Sequence, residues 1–303
     1  MRIAVMGTGG VGGYFGGRLA EAGLDVTFIA RGAHLKAIGS RGLAIESELG
    51  NARIEAKATD DPAAVGPVDV VLFCVKLWDV EGAGEAIRPM VVPETAVIAL
   101  QNGVDAQQRL IGILGQKPVM GGVAHISATI KEPGVIRHTG KLARIFFGEL
   151  GGRESPRGQA FLEACRAASL DAKLTDRIER VIWEKFIFLV AFSGMTAVTR
   201  RPIGPLREDA ETWAMFRAAM QEAATLAGAK GVGFAGDPVE TWSKIIQTMP
   251  YDYRASMLED LERGNRLELP WLSGKVAALG RELGIATPVN GFIATALKLS
   301  ANP

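Results

Sequence analysis

Short apolar runs and helical periods alternate through the first half of the chain, and helical periods fill most of the second. Residues 2–7 (RIAVMG), 25–30 (DVTFIA), 68–75 (VDVVLFCV) and 96–101 (AVIALQ) read as strands, and Val11 to Ala22 reads as a helix. Continuous apolar runs joined by helices predict parallel strands buried on both faces. Residues 119–130, 134–139 and 143–149 alternate instead, with glycine turns between them, and predict antiparallel strands that finish the sheet. Past the loop GGRESPRG (151–158) come a helix over 159–169 and a short strand. Helical periodicity then runs through 177–199, 206–230, 238–248, 255–263, 271–284 and 288–300. Pro202, Gly236, Pro250, Pro270 and Pro288 mark the junctions. The expected fold class is α/β: an N-terminal Rossmann-type doubly wound sheet over 1–174, followed by an all-α C-terminal domain over 175–303.

The helix through 180–198, RVIWEKFIFLVAFSGMTAV, breaks its own pattern. Val181, Lys185, Leu189, Ser193 and Ala197 share one face, with Ile182, Phe186 and Val190 beside them. A lysine in that apolar stripe must give up water, and an ammonium does so only at considerable cost. Lys185 either snorkels its charge to solvent or serves as a general acid. In the second case a lowered pKa suits it to stabilise and then protonate an alkoxide left by hydride transfer to a ketone. Spacing alone leaves both open.

Composition narrows the classes. The 303 residues are enough for two cores, and 34 basic against 33 acidic residues, a net charge of +1, argue against nucleic acid as partner. The two cysteines, Cys74 and Cys165, form no CxxC or ligand pattern. They read as buried apolar residues in a reducing compartment. His34, His125 and His138 lack ligand spacing, so no metal site is expected, and His125 reads as a core or edge residue. The N-terminus opens directly on a strand without a signal peptide, and no uncharged apolar run reaches the ~20 residues of a membrane span. The expectation is a soluble cytoplasmic protein, monomer or homodimer, with a small-molecule substrate and neither nucleic acid nor membrane as partner.

GTGGVG at 7–12 fits G-x-G-x-x-G after a strand and before a helix, with a second strand ending about 20 residues on. Gly7, Thr8, Gly9, Gly10, Val11 and Gly12 are therefore the expected dinucleotide-binding turn, with the helix N-terminus facing the pyrophosphate. Where NAD sites carry an acid at the end of the second strand, this chain has Arg31, which suits the 2′-phosphate of NADP(H). His34 and Lys36 are close enough in sequence to assist. Lys76 and Asn102 end two further strands at the edge where ligands bind such sheets.

The blocks GTGGVG, CVKLWDV, LQNGVD, WEKFIFLVAFSGMTA and SMLEDLERGNRLELPWLSGKVAALGRELGIATPVN follow one another in the order seen in ketopantoate reductases, the 2-dehydropantoate 2-reductases. The resemblance spans nearly the whole chain. It implies a two-domain NADPH-dependent reductase with its active site in the interdomain cleft. It further implies Lys185 as the catalytic acid, Lys76 and Asn102 flanking cofactor and substrate, Ser256 on the substrate carboxylate, and Glu268 in the cofactor and catalytic network. Two departures bear on the substrate. Family asparagines one and two turns beyond the lysine are Leu189 and Ser193 here. The T-E-I-D-x-I-N-G segment reads LELPWLSG, with Pro270 for the acid and Ser273 for the asparagine.

Other features read as structure. EDLERG (259–264) is a solvated helix face, although Asp260 lies one turn past Ser256. Arg200 and Arg201 close the long helix, and Trp242, Tyr251 and Tyr253 suit a core, lid or pocket wall. The expected activity is NADPH-dependent reduction of a 2-oxoacid, in the first instance 2-dehydropantoate to pantoate in pantothenate biosynthesis. The alternatives are a reductase of another branched or bulkier 2-oxoacid and a catalytically idle NADP-binding sensor.

Overall fold

The computed structural model describes residues 1–302. The chain divides into two compact units, Met1–Gln101 with Asp105–Ile178, and Asn102–Val104 with Glu179–Pro303. The division thus falls past the expected residue 174, and a tripeptide from the middle of the first half belongs with the second unit.

The first unit is built on one ten-stranded sheet. Its elements begin β1 (Arg2–Met6), α1 (Gly10–Glu21), β2 (Asp25–Ile29), α2 (Gly32–Arg41), β3 (Leu43–Ser47), β4 (Ala52–Ile54) and β5 (Lys57–Thr59). They continue with β6 (Val70–Phe73), α3 (Val80–Ala86), β7 (Ala96–Ala99), α4 (Ala106–Leu114), β8 (Val119–Glu132), β9 (Val135–Glu149), α5 (Pro156–Ala167) and β10 (Asp171–Leu174). The strand order is β4-β3-β9-β8-β7-β6-β1-β2-β5, with β10 on β9. From β5 through β8 the neighbours are parallel, with Ile3 opposite both Val26 and Val70. β6 and β7 are buried at every position, as strands covered on both faces must be.

The two expected strands 134–139 and 143–149 are one continuous strand, β9. It pairs antiparallel with β8 along its length, parallel with β3 at its start and parallel with β10 near its end. A register shift between Ile126 and Ala128 lets so long a hairpin bend. Helix α1 lies flush on the sheet because its inner face is glycine. A Cβ on Gly16 would stand 2.5 Å from the Val5 side chain, and one on Gly17 would stand 2.7 Å from Ile45.

The second unit is helical: α6 (Ile178–Thr199), α7 (Ile203–Glu208), α8 (Ala210–Ala229), α9 (Pro238–Gln247), α10 (Ser256–Glu262), α11 (Ser273–Leu283) and α12 (Pro288–Ala296). Helix α6, 22 residues with mean hydropathy 1.6, has the length and apolarity of a membrane-crossing helix, but 67% of its apolar window is buried in the protein. Phe186, Ile187, Val190 and Ala191 form the middle of this unit's core with Phe216, Met220 and Val276. The expected single helix over 206–230 is two. Asp209 ends α7 with an extended backbone and caps α8, its carboxylate accepting from Thr212 N at 2.8 Å. Glu222 on α8 accepts from Val289 N and from the backbone and side chain of Asn290, which holds the start of α12.

Asp209→Ala removes that cap and should lower stability by about 1 kcal/mol. Asp209→Ser should retain most of it, as read by urea unfolding of the two variants beside the parent.

Candidate active site

The first unit supplies the dinucleotide turn. Gly7 leaves β1 with φ +96°, and a Cβ there would stand 2.9 Å from Val75 N. Thr8 is buried and ties the turn to β2, its backbone N and Oγ1 both donating to Ile29 O at 3.1 and 2.9 Å. Gly9 is the N-cap of α1 and carries no capping side chain, while the first turn holds no acidic residue. A Cβ on Gly9 would meet no atom within 4 Å, so the turn is open there. A Cβ on Gly10 would stand 2.0 Å from Ala128 O, and one on Gly12 would stand 2.3 Å from Gly7 O. An open, uncapped helix N-terminus with a positive dipole end fits a pyrophosphate, and the glycines at 10 and 12 are fixed by packing.

Arg31 follows β2 as the N-cap of α2, exposed, its carbonyl accepting from Leu35 N at 3.2 Å and its guanidinium without a hydrogen bond or ion pair among the described residues. Its guanidinium is therefore available to an anion beyond the strand end. His34 is spent otherwise: its Nδ1 accepts from Gly134 N at 3.0 Å, and burial holds its pKa below the ordinary value. Lys36 is exposed. Lys76 is exposed where β6 ends, its ammonium 5.6 Å from the centre of the Trp78 ring.

The lysine of the long helix is only part-buried, yet desolvation dominates its chemistry. Lys185 Nζ donates to Asn102 Oδ1 at 2.8 Å. Burial lowers its pKa from the ordinary 10.5 to about 8, opposed by the negative charge of Glu268. Folding thus favours the neutral amine. Its unfavourable contribution to stability is present below about pH 8 and is relieved as pH rises towards 10.5. Asn102 and Val104 belong to this unit although they follow β7, and Val104 packs on its core. Gly103, at φ +105°, makes that turn. Glu268 is buried at the start of the short 3-10 turn Leu269–Trp271, in which Pro270 is exposed.

Lys185, Asn102 and Glu268 are therefore brought together within the second unit. Leu189 is part-buried one turn beyond the lysine, and Ser193, a further turn on, is buried at 1% exposure. Ser256 is exposed as the first residue of α10. Ser273 is fully buried, with its hydroxyl unpartnered beside Gly194.

Sequence inspection passed over Gln101. Its Nε2 donates to Phe73 O and Val75 O at 2.9 and 3.1 Å, fixing the end of β7 from which Asn102 departs. The signal was a buried amide closing an apolar strand. Trp242 serves α6 directly, its Nε1 donating to Glu184 O at 2.6 Å. His138 is a core residue, donating from Nε2 to Leu142 O at 3.1 Å and joined through Nδ1 to Ser47 Oγ at 2.8 Å. His125 stands edge-on to Phe146 on the β8–β9 hairpin. Among the described residues no group of three or more His, Cys, Asp or Glu side chains is placed to hold a metal ion.

The chain is similar along nearly its whole length to known proteins. The family model described as ketopantoate reductase PanE/ApbA matches residues 3–152, and its C-terminal counterpart matches residues 177–301. A 2-dehydropantoate 2-reductase of Archaeoglobus fulgidus is 32% identical over 289 residues, 95% of this chain and 94% of the relative. The crystal structure of a 2-dehydropantoate 2-reductase from Geobacter metallireducens superposes with a TM-score of 0.92 at 31% identity, covering 99% of this chain and 100% of that one. A D-mandelate dehydrogenase solved with NADH and anilino(oxo)acetate shares the fold, with a TM-score of 0.91 at 19% identity over 99% of this chain and 98% of its own.

Gly12→Ala drives a methyl into the Gly7 carbonyl and should displace the turn. Dinucleotide affinity, measured by fluorescence titration, should fall at least tenfold, whereas Gly9→Ala, which meets open space on the protein side, should leave the fold's thermal transition unchanged.

Proposed function

The chain belongs to the ketopantoate reductase family, and from that premise we propose that it reduces 2-oxoacids to 2-hydroxyacids with NADPH. It is an oxidoreductase acting on CH–OH groups with a nicotinamide cofactor; the choice of NADPH and the residue roles are our own assignment. The observation that carries it is the part-buried, desolvated ammonium of Lys185, held by Asn102 and faced by the charge of Glu268.

When bound, the reduced nicotinamide supplies a hydride to the keto carbon. The open turn Gly7–Gly12 holds the pyrophosphate, with Thr8 pinning its backbone and Lys76 flanking it, and Arg31 holds the 2′-phosphate. As the C–H bond forms, the carbonyl electron pair moves to oxygen, and Lys185 stabilises that charge and transfers its proton to it. A pKa near 8 leaves the lysine protonated at neutral pH yet a readier donor than an ordinary lysine. Asn102, by accepting from Nζ, aims the ammonium, and Glu268 favours its charged form. Ser256 binds the substrate carboxylate, and Leu189 lies along the substrate's side of the helix, whereas Ser193 a turn further on is buried. The relatives' names make 2-dehydropantoate the reference substrate, but Leu189 can neither donate to nor accept from its hydroxyl.

Purified protein mixed with NADPH and 2-oxoacids should consume NADPH, and tight NADPH binding without turnover would favour an idle binding protein. Lys185→Ala should lower kcat about 10²- to 10⁴-fold. Because reduction needs the ammonium, kcat/KM for the oxoacid should fall as pH rises through about 8, and that limb should vanish in Lys185→Ala. Oxidation of the hydroxyacid needs the neutral amine and should rise over the same range. Arg31→Ala should raise the KM for NADPH about tenfold and leave that for NADH nearly unchanged; equal effects on both would contradict the 2′-phosphate role.

A further inference from the structure

The surface of α6 beside the lysine narrows the substrate class. Between Trp183 and Ala197 the helix residues that keep solvent exposure are Glu184, Lys185, Phe188 and Leu189, and the rest are buried. At 100° per residue, Phe188 and Leu189 follow Lys185 directly along its face. A molecule lying against Lys185 and extending along α6 therefore meets an aromatic ring and an aliphatic side chain. Ser193, the next residue of that row, is buried.

Phe188 is also part of a continuous stack. Its ring lies 4.5 Å from Trp242 at 17° and 5.0 Å from Phe192 at 16°, and Phe192 lies 5.4 Å from Tyr253 at 10°. Four near-parallel rings thus run along the helix on the side of the lysine, ending at Tyr253, which is 37% exposed. Both flanks are fixed. Trp242 is anchored by its hydrogen bond to Glu184 O at 2.6 Å. The Tyr253 carbonyl accepts from Ile203 N at 3.0 Å, and Arg207 donates to Ile246 O and Met249 O in the same connection. The faces of Phe188 are covered by Trp242 and Phe192, so a substrate meets the edge of a wall that needs no reordering, and edge-to-face contact is a favoured arrangement for an aromatic group.

We propose that the oxoacid this chain reduces carries an aromatic or comparably bulky apolar substituent at C2, packed on Phe188 and Leu189 while Lys185 serves the keto oxygen. The inference rests on the reductase reading above and adds the substrate's side chain. The balance is that of any ketone reduction: hydride to C2, the carbonyl electron pair to oxygen, a proton from Lys185, and the nicotinamide oxidised. A hydroxylated substituent in the same place finds no donor or acceptor on Leu189 or Phe188, and surrenders water without compensation.

The test is kcat/KM with NADPH for phenylpyruvate, 4-methyl-2-oxopentanoate, 2-dehydropantoate and pyruvate. Phenylpyruvate should exceed 2-dehydropantoate by about tenfold or more. Leu189→Asn, which restores a polar group, should shrink that ratio about tenfold, chiefly through KM, and Phe188→Leu, which keeps apolar volume, should lower it several-fold. A ratio at or below one in the parent, or a ratio unmoved by both variants, overturns the substrate class while leaving the reductase reading intact. NADPH oxidation with none of the four acids overturns the reductase reading itself.

Discussion

The helical unit is organised around a charge in an apolar helix. Lys185 interrupts a 22-residue segment whose neighbours Phe186, Ile187, Val190 and Ala191 make the core. An ammonium in that position is tolerated only if partners replace its water. Asn102 offers an acceptor from 83 residues before it in sequence, and Glu268 offers a charge from as far after it. The turn after β7 must therefore leave the first unit before the chain returns to it at Asp105 and adds β8 to the sheet. Gly103 makes that departure possible through its left-handed backbone, and Val104 secures it in the helical core. Incomplete compensation keeps the lysine's pKa low, and the acid role proposed for it draws on that same constraint.

The sheet unit obeys a different constraint, which is closeness. Gly12, Gly16 and Gly17 remove the side chains that would hold α1 off the sheet, and the uncapped start of that helix is left facing outward from Gly9. Backbone N–H groups and the positive dipole end left open there suit an anion. Arg31, at the next strand end, is exposed, and its guanidinium has no protein partner among the described residues.

Period and punctuation made much of this legible in the chain itself. The buried strands β1, β2, β6 and β7 are continuous apolar runs, and α6 is long enough for its periodicity to be unmistakable. What escaped were elements whose pattern is set by partners rather than by themselves. β3, β4 and β5 are short and mixed in polarity, and they exist because β9 and β2 offer edges to them. The break at Asp209 hid inside a helical period because an aspartate in mid-period reads as an exposed residue until its carboxylate is seen capping the next helix. Of the site, Lys185, Asn102 and Glu268 were each named, but the tripeptide's membership of the helical unit is a tertiary fact. His34 showed the converse: near Arg31 in sequence, it is committed to Gly134.

The central claim is that burial gives Lys185 an acid strength suited to its task. Lysine-selective 15N labelling, with the Nζ resonance assigned by its loss in Lys185→Arg, allows this residue to be titrated directly by NMR. The account predicts a midpoint of about 8, well below the other lysines. A midpoint with the bulk of the lysines, above 10, would show that the ammonium stays solvated, and the proposed acid would have to be sought elsewhere.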